Sequence, residues 1–184
     1  MAFVALYDAN VLYGNTLRDL LIRLAMAGRM QAKWTNRILD EMQRNLAVNR
    51  PGIPEEKLGR LRLLMNSAVR DCLVEGYEPL IEGLKLPDPD DRHVLAAAIK
   101  AGAQIIVTSN LKDFPAKDLA AWNIEAKSPD DFVLDPIDLD GRVVWACVQQ
   151  IADSRINPPE TVDDVLDALE AAGLVEAVAA LRAG

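Results

Sequence analysis

Three aspartates fall within four residues in the stretch Asp88, Pro89, Asp90, Asp91, directly before the apolar run that starts at Val94. A helix start favours one or two acids, because its free N–H groups attract negative charge. Close carboxylates with no Lys or Arg among them repel one another unless a cation intervenes. Further acids follow apolar, strand-like segments: Asp8 after Phe3–Tyr7, and Asp113 five residues beyond Thr108. Glu41 sits on a helical stretch whose stripe is Ile38, Leu39, Met42 and Leu46, and it falls nearer that stripe than Asp40 does. Each acid alone has a structural explanation: Asp8 can begin a turn, Asp88 or Asp91 can cap a helix, and Asp113 can end a loop. A pocket that gathers Asp8, Glu41, Asp91 and Asp113 is too electronegative to stand empty. Its hard oxygen ligands, without Cys or His, select Mg²⁺ or Mn²⁺.

Strands and helices must bring these positions together. Phe3–Tyr7 and "AQIIVTSN" read as buried strands, and the helical spacing of Val94, Leu95, Ala98 and Ile99 lies between them in the chain, with Gly102 as its stop. If the strands run parallel, Asp8, the Thr108–Asp113 loop and the start of the crossover helix at Asp90 and Asp91 open on the same side of the sheet. Asn15 and Thr16 offer cap oxygens for a helix through "LRDLLIRLAMAG", and Thr35 offers one for "NRILDEMQRNL". "GYEPLIEGL" and "WNIEAK" are candidate short strands. Ser128, and Thr161 with Asp164, announce further helices, with Gly173 dividing the last two. The alternation predicts an α/β fold of three layers, a mainly parallel central sheet flanked by helices, with a helical carboxyl-terminal extension. The expected division is 1–134 and 135–184.

The net charge of −8 argues against a nucleic-acid partner until its distribution is considered. Residues 18–70 hold eleven basic and five acidic side chains, whereas residues 128–184 hold three and twelve. A basic surface beside an acidic segment fits this asymmetry, as do solvated helix faces. Cys72 and Cys147 match no metal-binding spacing and are expected as free thiols. No apolar run reaches the roughly 18 residues of a membrane span, and no signal-peptide layout opens the chain, so a cytoplasmic location is expected.

The fragments "YDANVL", "WTNRILDEM", "PDPDDRHVLAAAIKAGA" and "IIVTSNLKDF", in this order over Phe3 to Val133, resemble the PIN domain family, and more closely its branch of VapC-type toxins. The resemblance implies a metal-dependent endoribonuclease that acts on single strands and leaves a 5′-phosphate and a 3′-hydroxyl. Its four acids fall on Asp8, Glu41, Asp91 and Asp113. Asn110 stands where many members carry the fourth acid, so Asn110 and Asp90 join the candidate metal ligands. One Mg²⁺ on Asp8 and Asp91 is then expected to acidify a bound water. The rival acid–base chemistry needs paired histidines, and the chain has only His93, expected on an exposed helix face. Arg29, Lys33, Arg37 and Arg44 are candidate RNA-backbone contacts, with Thr35 and Thr108 as further candidates. Trp34 reads as packing, with base stacking as the alternative. The implied partners are RNA, a cognate antitoxin, and a second copy in a homodimer or toxin–antitoxin hetero-oligomer. The alternative functional reading is a catalytically weak module of the same fold that regulates through RNA or protein contacts.

Overall fold

The computed structural model describes residues 3–184. Four short strands form one parallel sheet: β1 (Val4–Tyr7), β2 (Gln31–Lys33), β3 (Ile105–Val107) and β4 (Glu125–Lys127), in the order β2-β1-β3-β4. β1 pairs with β2 from Val4–Gln31 to Leu6–Lys33, and with β3 from Ala5–Ile105 to Tyr7–Val107. Ala5, Leu6, Tyr7 and all of β3 are buried, as central strands covered on both faces must be. Parallel neighbours need crossovers. These carry α1 (Asn15–Met26) between β1 and β2, then α2 (Asn36–Asn49), α3 (Glu55–Ala68) and α4 (Arg92–Ala101) before β3, and α5 (Ala116–Leu119) before β4. The sheet flanked by helices is the expected α/β architecture.

Element ends follow local chemistry. Thr35 accepts the Ile38 N–H at 3.0 Å and starts α2, while Gly102 takes φ +66° and closes α4. Ser128 accepts the Asp131 N–H at 3.2 Å at the head of α6 (Pro129–Ser154). Thr161 and Asp164 form a reciprocal capping box for α7 (Val162–Ala171), and α8 (Val175–Ala183) completes the helical carboxyl-terminal region. Two expectations are corrected. Gly14, not Asn15 or Thr16, occupies the cap position of α1, and the Asn15 side-chain oxygen instead accepts from Arg18 Nη2 at 3.0 Å. The stretch around Pro79 is a 3₁₀ helix, Glu78–Gly83, rather than a strand, because proline at its second position fixes a turn-like φ and needs no N–H partner. The β2 edge is covered by Cys72–Val74: Trp34 N donates to the Cys72 carbonyl at 2.8 Å, and Val74 N to the Trp34 carbonyl at 2.9 Å.

A single apolar cluster runs from the sheet into the last helices, where Val144, Cys147, Val148 and Ile151 of α6 join Leu166, Leu169, Val178 and Leu181. Burial of each large side chain contributes about 1.5–3 kcal/mol, so α6–α8 are integral to the core. Asp130 pins α8 to the start of α6 by accepting the Glu176 and Ala177 N–H groups at 3.0 and 2.7 Å. α6 breaks at Asp140, four residues after Pro136, and Asp140 Oδ1 accepts the Arg142 N–H at 3.2 Å where the helix resumes. Trp34 is fully buried, with Nε1 donating to Asn66 at 2.8 Å and its ring 6.2 Å from Tyr7. It packs, and has no face open to a base. Both cysteines are free and buried. Among the described residues no helix is long and apolar enough to cross a membrane.

Candidate functional site

The chain leaves β1 toward β2 on one side of the sheet and leaves β3 toward β4 on the other. The crevice above the carboxyl ends of β1 and β3 is therefore the topological switch point, where open parallel sheets take up ligands. Asp8 and Thr108 directly follow these two strands.

Asp8 is only 6% exposed and is held on both oxygens. Oδ1 accepts the Ala9 N–H at 2.8 Å, and Oδ2 accepts from the Thr108 hydroxyl at 2.9 Å and Asn10 Nδ2 at 3.2 Å. Asn10 Oδ1 accepts the Ser109 N–H at 3.0 Å, and Thr108 Oγ1 accepts the Asn110 N–H at 3.1 Å. The loops after β1 and β3 are thus laced together around one carboxylate. Burial pushes the Asp8 carboxyl up, the bonds from Thr108 and Ala9 pull it back, and the charge of Glu41 raises it further. Asn10 has no place among the expected site residues. Its position two residues beyond Asp8, at a strand end, is the signal that marks it.

Asp91 ends a 3₁₀ turn, Pro89–Asp91, at the start of α4. Asp88 does the capping there, accepting the Asp90 N–H at 2.9 Å, while Asp91 makes no cap bond. Burial lifts the Asp91 carboxyl from 3.8 to about 6, helped by the negative charges of Asp8, Asp88 and Asp113 and opposed by His93. Asp113 closes a 3₁₀ turn, Leu111–Asp113, after β3 and is half-buried. Asp90 and Asn110 are exposed.

Glu41 lies on α2 with Oε1 2.9 Å from His93 Nε2. Its charge is felt by Asp8 and by the half-buried Tyr13, whose hydroxyl is pushed up by burial, Glu41 and Asp8. Asp40 faces outward and pairs with Arg62 at 2.6 Å. The expectation of an exposed His93 is overturned: the ring is 1% exposed. Every residue of α4 from His93 to Ala98 is buried, because the 3₁₀ segment Glu78–Gly83 packs on α4 while β1 and β3 press from the sheet.

The expected RNA contacts do not all reach this crevice. Arg29 precedes β2 and so lies at the opposite end of the sheet, where its charge acts on Cys147 of α6. That removes it from the site. Lys33 donates to the Asp71 carbonyl at 2.5 Å. Arg37 and Arg44 are exposed on α2, one turn before and after Glu41, and Arg44 shares a shallow cleft with Tyr13, Glu41, Asn45 and Val48. Thr35 and Thr108 are buried, the first as a helix cap and the second as the partner of Asp8. A groove of about 610 Å³ runs between α6 and α8, past Trp145 and Leu181, and is lined by none of the four acids.

The charge of Glu41 thus acts on Asp8, and those of Asp8 and Asp113 act on Asp91, around the switch point, and the donors of these acids are hard oxygens. That donor set suits Mg²⁺ or Mn²⁺. Among the described residues no three His, Cys, Asp or Glu side chains are already grouped as a metal cage. A Mg²⁺ site does not need one, since this ion keeps several waters and is gripped by one or two carboxylates.

The VapC50 C-terminal domain family matches residues 129–183. The chain is 45% identical over 94 residues to the Mycobacterium tuberculosis protein named "Putative ribonuclease VapC50", a match that covers 51% of this chain and 55% of that relative. It thus spans about half the length of the curated relative. No solved structure matches the chain. The PIN domain family matches residues 4–112, which hold β1 to β3 and the segments that carry Asp8, Glu41 and Asp91; the chain belongs to the PIN domain family.

Proposed function

We propose that this protein is a Mg²⁺-dependent endoribonuclease, with Mn²⁺ as a substitute, and that it is the toxin of a bacterial type II toxin–antitoxin pair. The observation that carries the reading is the geometry at the switch point, where Thr108, Asn10 and the Ala9 N–H hold Asp8 at the end of β1; burial first, and then the charges of Asp8, Asp88 and Asp113, raise the Asp91 carboxyl beside it to about 6. Asp8, Glu41, Asp91 and Asp113 are the proposed catalytic and metal-holding residues, with Asp90 and Asn110 as outer contributors. A bound divalent cation would neutralise this charge and supply an acidified water for attack on a phosphodiester, giving a 5′-phosphate and a 3′-hydroxyl. Thr108 and Asn10 fix the Asp8 carboxylate, so it does not have to reorient when substrate arrives. Arg37 and Arg44 flank Glu41 with positive charge suited to an RNA backbone. The similarity to the protein named "Putative ribonuclease VapC50" supports RNA as the substrate.

The nuclease unit is proposed as residues 1–134 and the extension as 135–184; the two family matches, 4–112 and 129–183, support a two-part chain, with the second match beginning at 129, ahead of that boundary. A cytoplasmic location and self-association, as a homodimer or within a toxin–antitoxin complex, belong to the same proposal. The test is incubation of purified protein with RNA and Mg²⁺, with and without chelator, and with Asp8→Asn as the contaminant control. Cleavage by wild type alone, abolished by chelator, is expected; equal cleavage by wild type and Asp8→Asn removes the enzyme.

Asn110 favours a second reading, since a neutral side chain there weakens the site's grip on a second cation. In that reading the same fold binds RNA or protein without turnover. RNA binding without cleavage at saturating Mn²⁺ would select it.

A further inference from the structure

We infer that His93 is a positioning residue that fixes the Glu41 carboxylate at the acidic centre through the close polar contact of its Nε2, an inference that rests on the nuclease reading. The imidazole lies on α4, two residues past Asp91, and reaches across to α2, with Nε2 2.9 Å from Glu41 Oε1. A carboxylate offers only acceptors, and Nε2 is the ring nitrogen that faces it. The ring is 1% exposed and its Nδ1 is buried without a hydrogen-bond partner among the described residues. A histidine kept for the core satisfies its nitrogens on protein groups or water; among the described residues this one directs its single polar contact at Glu41. Burial keeps the ring away from solvent and substrate, so it acts through Glu41 and not on the reacting atoms. One side chain thereby ties the helix that presents Asp91 to the helix that presents Glu41, and a shift of either helix alters the spacing of both acids.

Partners behind a ligating group change metal affinity or activity about 10–100-fold when removed. His93→Met fills the space without a donor, whereas His93→Gln places an amide N–H near the position of Nε2. Titration calorimetry with Mn²⁺ should show affinity about 10–100-fold weaker in His93→Met and largely restored in His93→Gln. RNA cleavage should lose kcat in the same order with little change in KM. In a Glu41→Ala background, His93→Met should cost nothing further. Nitrogen-15 spectra of the imidazole need no His93 variant, and Nε2 should shift on Glu41→Ala. Should wild type neither bind Mn²⁺ nor cut RNA, the nuclease reading falls and this inference falls with it. If wild type does both, the inference alone is overturned by a His93→Met protein that matches it. An undiminished His93→Met effect without Glu41, or an Nε2 signal indifferent to Glu41→Ala, has the same consequence.

Discussion

Asp91→Asn should make the metal-free protein more stable while removing its response to metal. The Asp91 carboxyl is lifted from 3.8 to about 6 by burial and by three neighbouring acids. Such a rise corresponds to about 3 kcal/mol as a ceiling, and solvent screening of a partly exposed group reduces it to about 1 kcal/mol. The head of α4 returns a few tenths of a kcal/mol to a carboxylate, but Asp91 makes no cap bond that Asn would break. Between pH 3.8 and about 6 the folded state holds more protons than the unfolded chain, so wild-type stability falls as pH rises through that window. Above about 6 the full penalty is present; below 3.8 it is gone. Thermal melts in chelator at pH 8 should therefore place Asp91→Asn about 2–4 °C above wild type, with the gap closing toward pH 4. Mg²⁺ at about 100 times its Kd should add about 2.7 kcal/mol to wild type and almost nothing to the variant. A variant that melts below wild type at pH 8, with a deficit independent of pH, would refute the reasoning, because Asp91 would then be a structural residue without an electrostatic burden.

Thr108→Val removes one of the two side-chain donors to Asp8 Oδ2 and the acceptor of the Asn110 N–H, so chemical denaturation should show a loss of about 1–3 kcal/mol. Trp34→Phe loses the bond to Asn66 and some packing, at a cost of about 1–3 kcal/mol, and should leave RNA affinity unchanged in a filter-binding assay. Arg44→Ala should weaken RNA binding and lower the slope of log K against log salt by about 0.7, whereas Arg29→Ala, at the far end of the sheet, should leave that slope intact.

The parts of this protein that could be read from its sequence are those where one residue has one local job. Thr35, Ser128 and Thr161 cap helices in the manner their hydroxyls require, and Gly102 ends α4 in the conformation that a side chain disfavours. Asp8 at a strand end and Asp91 at a helix start were legible for the same reason, and a parallel sheet then brings them to one side. What escaped depends on neighbours distant in sequence. β2 is three residues long at the paired edge of the sheet, and Gln31 and Lys33 give it no apolar signature. His93 looked exposed because periodicity assigns a helix one wet face, yet α4 has a covering segment, Glu78–Gly83, drawn from residues that resembled a strand. Arg29 and Arg44 are both basic residues near Glu41 in sequence, and only the direction of β2 separates one from the crevice. Asn10 shows its role only when the loop after β3 arrives to meet it.

Crystals soaked in Mn²⁺, with data collected at its absorption edge, put the central claim to the most direct test. The account predicts an anomalous peak in the crevice above β1 and β3, within about 2.1 Å of an oxygen of Asp8 or Asp91 and absent from Asp8→Asn crystals. A saturated soak with no peak among Asp8, Glu41, Asp91 and Asp113, or with manganese held only elsewhere on the molecule, would contradict it.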